Sequence, residues 1–182
     1  MNFNNNAIVL SAVLLATPNV YASAMIAGID LNQSLDINSP SVLKSSQSHY
    51  EPQMSMYEIT NTSDFTYKVD SAYVFTTPLS NVVMFIETRT KIEEGTCDSY
   101  KRSFKNYITE KLSNDNTIPY NTKSDGEGVV DKKLKNTYSS ECFNAKVDEK
   151  GFKYSAEFIG NFTSSTSWGI YTNEKDQLIT SK

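Results

Sequence analysis

One histidine, one tryptophan and two cysteines stand in a chain of 182 residues, and each scarcity removes a class of chemistry. With His49 as its one imidazole, the chain offers poor support for Ser-His-Asp or Cys-His catalysis, and the two or three imidazoles common on catalytic zinc cannot be assembled. There is no GxGxxG fingerprint, phosphate loop or GxSxG elbow, so no cofactor is expected. Asp125-Gly126-Glu127 reads as turn chemistry, and no segment carries the ligand spacing of an EF-hand. Charges of both signs are mixed, 17 Lys and Arg against 21 Asp and Glu for a net −4, and this leaves no basic stripe for nucleic acid. No apolar run reaches the roughly 20 residues of a spanning helix, so no transmembrane segment is expected in the mature chain.

What is present begins with Ala7 to Ala16, an apolar run of signal-peptide length. Small residues follow at Ala22 and Ala24, the two positions a signal peptidase reads, so residues 1–24 are expected to be a signal peptide cleaved after Ala24. The segment Met1 to Asn6 has no Lys or Arg, leaving the amino terminus as its positive end. No cysteine follows the apolar run, which argues against a lipid anchor. The expectation is an exported protein, periplasmic or secreted, in which Cys97 and Cys142 meet an oxidising compartment and close one disulfide.

Residues 25–53 are rich in Ser, Asn and Gln and read as a polar arm with room for one strand, leaving 54–182 as a single domain. Period-2 alternation from Phe65 to Thr76 predicts a strand, Pro78 to Asn81 a turn, and Val82 to Ile92 the returning strand of a hairpin. Met54 to Thr60 adds a third strand. Tyr100, Phe104, Tyr107, Ile108 and Leu112 form one helical stripe, with Asp98 or Ser99 placed to cap it. Asn114 to Gly128 reads as an exposed loop and Val129 to Asn136 as a short helix. Tyr138 to Val147 and Phe152 to Phe162 make a second hairpin around a turn at 148–151, and Trp168 to Thr172 a last short strand. The fold class is therefore α+β: an antiparallel sheet of hairpins with one amphipathic helix packed on a face and one disulfide. An eight-stranded outer-membrane barrel is the rival, opposed by the helical stripe and by the lack of a terminal aromatic strand.

Four carboxylates, Glu87, Glu94, Glu141 and Glu157, sit in or beside sheet segments and are the candidates for glycoside-type hydrolysis, against the plainer reading of a solvated strand face. Lys101, Arg102, Lys105 and Lys111 form a basic helix face that suits an anionic glycan or phosphate, or simply solvent. Trp168 and Tyr171, after a Ser/Thr-rich stretch, are the candidate binding residues for a sugar ring or a partner's side chain, against a place in the core. Asn, Ser and Thr supply 57 of the 182 residues, a surface that hydrogen-bonds without strong charge. Asn32, Asn61 and Asn161 fit the N-glycosylation pattern, as chance allows in such a chain. The functional expectation is a small exported binding protein acting through a protein or glycan surface, such as an inhibitor or immunity protein, an adhesin or virulence factor, or an envelope accessory factor. A carboxylate-based hydrolase and a pore-forming or membrane-active toxin are the alternatives, so a binding role is favoured over an enzyme.

Overall fold

The computed structural model describes residues 25–48, 50–112, 117–121, 127–143 and 156–180. The expected signal peptide with Ala22 and Ala24, His49, and the turn expected at 148–151 lie outside the described residues. The elements run β1 (Val42–Gln47), β2 (Ser55–Ile59), β3 (Ser71–Thr76), β4 (Val83–Lys91), α1 (Cys97–Lys111), β5 (Thr117–Asn121), β6 (Glu127–Asp131), β7 (Asn136–Phe143), β8 (Glu157–Ser164) and α2 (Ser165–Thr180). All strand pairs are antiparallel and join in one sheet of order β1-β2-β3-β4-β8-β7-β6-β5. Two meanders thus meet at their last strands, and the connection through α1 carries the chain from the centre of the sheet to its far edge. Pro119 falls in edge strand β5, where a missing backbone N–H is tolerated.

Residues directly opposite each other in the ladders share a face, so the register sorts the sheet into two surfaces. On one, Val74, Ile86, Phe162 and Tyr138 stand in line across β3, β4, β8 and β7, and all are fully buried. Helix α1 lies on this surface. Phe104, Tyr107, Ile108 and Leu112 of the expected stripe are buried, and Phe104 meets the rings of Phe162 at 5.2 Å and Phe158 at 6.1 Å between centroids. Burying one such ring contributes about 2–3 kcal/mol. Gly160 permits the close approach, because a Cβ there would stand 2.7 Å from both a Phe104 ring carbon and Thr88 Oγ1. The opposite surface carries a smaller core of Met54, Met56, Phe75, Met84, Phe85 and Tyr171, the last from α2. The Cys97–Cys142 disulfide joins the first residue of α1 to β7, with 6.2 Å between the Cα atoms. Paired cysteines of this kind belong to an oxidising compartment.

Several expectations need correction. A second helix, α2, replaces the short strand expected at Trp168 to Thr172, because its buried residues Ser167, Tyr171 and Glu174 recur at helical spacing. The expected loop at 114–128 contains β5 and the start of β6, and the expected helix at 129–136 is instead the end of β6, a turn and the start of β7. The alternation from Phe65 places Phe65, Tyr67, Tyr73 and Phe75 on one face, but the ladder starts only at Ser71 and the face is not shared: Phe65 and Tyr67 precede the sheet and pack on Tyr107 of α1, at 5.4 and 5.8 Å, whereas Tyr73 and Phe75 belong to the opposite core. Helix α1 starts at Cys97 after Thr96, which makes no side-chain cap, and Asp98 lies in the first turn. The polar arm contributes β1 and buries Ile26, Leu31, Leu35 and Val42 in the α1-side core.

The staple makes a direct prediction. Cys97→Ser should lower the free energy of unfolding by about 4 kcal/mol on the chain-entropy view of a 45-residue separation. In oxidising buffer this corresponds to a melting temperature about 8–16 °C lower by calorimetry, and an unchanged melting point contradicts a stabilising role.

Candidate functional site

The surface opposite α1 differs in chemistry from the one it covers. Its central line runs Tyr73, Glu87, Asn161, Ser139 across β3, β4, β8 and β7. The neighbouring lines are Phe75, Phe85, Thr163, Thr137 on one side and Arg89, Ile159, Glu141 on the other. Helix α2 covers one end of this surface, and the segment before β2 crosses it with Tyr50. Between them lies a hollow of about 310 Å³ lined by Tyr50, Phe85, Ser139, Glu141, Asn161, Thr163 and Trp168. That volume is at the small end of ligand sites.

Glu87 is fully buried beneath this surface. Its Oε1 accepts from Arg89 Nε at 2.6 Å, and its Oε2 accepts the phenol proton of Tyr50. A buried carboxylate without such partners would be prohibitively costly, so the three groups act as a unit. The Tyr50 hydroxyl is desolvated and faces the Glu87 carboxylate, which together push its pKa well above the usual phenol range. It therefore remains a donor at every physiological pH. The Tyr50 ring is held edge-on against Phe75 and Phe85, each at 5.3 Å, and those two rings stack at 4.0 Å. The residue as a whole is 50% exposed.

The facing wall is Trp168 in the first turn of α2, 38% exposed. Its ring meets Tyr171 edge to face, at 5.7 Å and 85°, so the two do not form one flat platform. Tyr171 is buried behind Trp168 and donates its hydroxyl to Glu51 Oε2 at 3.2 Å, which also accepts from Lys175 at 3.2 Å. Glu51 follows Tyr50, so this bridge ties the two walls together. Lys175 and then Tyr171 hold the Glu51 carboxyl below the usual range. Farther along α2, Glu174 accepts from the amides of Leu79 and Ser80 and from the Ser80 hydroxyl, fastening the helix to the β3–β4 turn. Partial burial raises the Glu174 pKa, but these hydrogen bonds outweigh it and the net shift is downward. At the helix start Ser167 Oγ donates to Asn32 Oδ1 at 2.7 Å and also lies 2.9 Å from the Val83 carbonyl.

Of the residues singled out in the sequence, Glu87, Glu141 and Glu157 share this surface, whereas Glu94 lies exposed in the loop before α1. Trp168 lines the hollow and Tyr171 supports it. The basic residues of α1 belong to the other side, where Lys111 pairs with Asp64 at 2.9 Å. Tyr50, Ser139, Asn161 and Thr163 were not anticipated as lining groups. Period-2 alternation would have aligned the three strand residues, but register across strands was needed to bring them together.

The chain matches no family model, no curated protein and no solved structure. The site's chemistry therefore rests on its own geometry. Among the described residues no group of three or more His, Cys, Asp or Glu is placed to hold a metal ion, and no helix is long and apolar enough to cross a membrane. A larger hollow of about 450 Å³ is lined by residues such as Asp30, Gln33, Asp36, Ser39 and Asn61, with no aromatic side chain among the described residues that line it.

The carboxyl groups of Glu51 and Glu174 are held below their unfolded range, as are Asp64, chiefly by Lys111, and Asp70, chiefly by the amide of Lys91. A depressed folded pKa contributes stability that is present above the unfolded value and lost as pH falls through the folded one. The melting temperature should accordingly be flat above about pH 5 and fall steadily below about pH 4. A melting temperature unchanged down to pH 3 contradicts these attachments.

Proposed function

We propose that the protein is a small exported recognition protein, periplasmic or secreted, that binds a protein or glycan ligand through the groove between Tyr50 and Trp168. The observation carrying this reading is a partly exposed tryptophan and a half-exposed tyrosine flanking a hollow lined by the hydrogen-bonding groups of Ser139, Asn161 and Thr163 and by the carboxylate of Glu141. Exposed aromatic side chains fixed by packing lose little entropy on binding and concentrate affinity. A hydrolytic reading is less well supported. Glu87, the most buried carboxylate of the surface, is engaged by Arg89 and Tyr50, an arrangement suited to holding the groove's shape.

The test is affinity capture with the oxidised mature protein, comparing the native chain with Trp168→Ala. Mass spectrometry and glycan analysis would identify what is retained from envelope and secreted fractions. The expectation is a stoichiometric ligand whose retention drops at least about tenfold in the variant, the loss of one buried aromatic contact. A ligand retained equally by both proteins contradicts the groove as the binding surface.

A further inference from the structure

We infer that the groove takes a neutral saccharide, seated with a ring face on Trp168 and its hydroxyls on Ser139, Asn161 and Thr163. The inference rests on the recognition reading above and names its ligand class. Three observations narrow the chemistry. First, the groove lies over β4, β8 and β7, each hydrogen-bonded to a strand on both sides. Strands paired on both sides offer no edge to an added strand, so the main mode of extended-peptide capture is disfavoured and recognition falls to side chains.

Second, the floor consists of small neutral groups. Ser139 and Asn161 are direct cross-strand partners, and Thr163 is two residues along β8 on the same face. Such partners place their side chains about 5 Å apart on a rigid ladder, a spacing that reaches across one sugar ring. Hydroxyl and amide groups both donate and accept, as sugar hydroxyls do, and Glu141 lines the same hollow. Among the described residues no Lys, Arg or His lines the hollow, and the one charged group there is the carboxylate of Glu141, which disfavours phosphorylated or sulfated ligands.

Third, the aromatic groups stand at the sides and not at the bottom of a deep apolar pocket. Trp168 and Tyr50 are 38% and 50% exposed, and they are held in place by Tyr171 and by Glu87 respectively. A pyranose has an apolar face of C–H groups and a polar rim, and it is complementary to a flat aromatic wall beside a hydrogen-bonding floor. An aliphatic anchor from a protein partner would leave the floor's polar groups without hydrogen bonds, at a cost in affinity.

Trp168 is the chain's one tryptophan, so its emission reports on this groove alone. The experiment titrates the oxidised protein with neutral oligosaccharides of glucose, galactose and N-acetylglucosamine, and in parallel with lysine-containing peptides that match Glu141 in charge. At least one saccharide series should give a saturable shift of the emission to shorter wavelength. By calorimetry, Asn161→Ala should weaken that binding about tenfold or more, with Lys105→Ala on the exposed side of α1 unchanged. Near-ultraviolet circular dichroism of Asn161→Ala matching the native spectrum excludes misfolding as the cause. If peptides or a captured protein shift the emission and no saccharide does, the saccharide assignment is overturned and the recognition reading stands. Saccharide binding that Asn161→Ala leaves intact also overturns the assignment. If no ligand of any kind perturbs Trp168 and captured material is indifferent to Trp168→Ala, both fail.

Discussion

The polar half of this molecule is organised by one buried carboxylate. Glu87 sits in the middle of a central strand with no solvent of its own, and a charge in that position persists only with partners. Arg89, two residues along the same face, supplies the counter-charge, and Tyr50 supplies a neutral donor from the connection between β1 and β2. The consequence reaches beyond the pair. To satisfy Glu87 the segment before β2 must cross the sheet, and in crossing it sets Tyr50 edge-on against Phe75 and Phe85.

The second wall depends on the first. Glu51 is adjacent to the anchored tyrosine and binds Tyr171 and Lys175 of α2, while Glu174 fixes the same helix to the β3–β4 turn. Individually these half-exposed contacts are weak. Together they hold Trp168 beside the same hollow as Tyr50, and on the proposed recognition role a site formed in advance would lose less free energy to ordering on binding. The division of labour between the sheet's surfaces follows. The side under α1 is a dense aromatic core stapled by Cys97–Cys142, and the other side can carry polar groups because stability is supplied elsewhere.

Much of the α1 side was legible in the sequence because its signals are hydrophobic. The Tyr100 to Leu112 stripe, the hairpin around Pro78 to Asn81, the strand at Phe158 to Phe162 and the disulfide all follow from apolar periodicity or cysteine count. The elements that were misread lack that signal. Helix α2 buries Ser167, Tyr171 and Glu174, two of them polar, so hydrophobic periodicity had nothing to detect. Strands β5 and β6 lie toward the sheet's far edge in a polar stretch with Pro119 and Gly128, residues that normally mark turns. Trp168 was visible as an isolated aromatic, but its partners on β7 and β8 and the Tyr50 wall depend on long-range register and on a polar anchor, neither of which leaves a local pattern.

The central claim is that Tyr50 and Glu87 are energetically coupled, and a double-mutant cycle measures this directly. Urea denaturation of the native protein, Tyr50→Phe, Glu87→Leu and the double variant gives the coupling free energy. The account predicts at least about 1 kcal/mol, as expected for a hydrogen bond to a buried carboxylate. Effects that add to within about 0.5 kcal/mol would contradict it, since the tyrosine would then stand over the sheet for reasons unconnected with the charge beneath it.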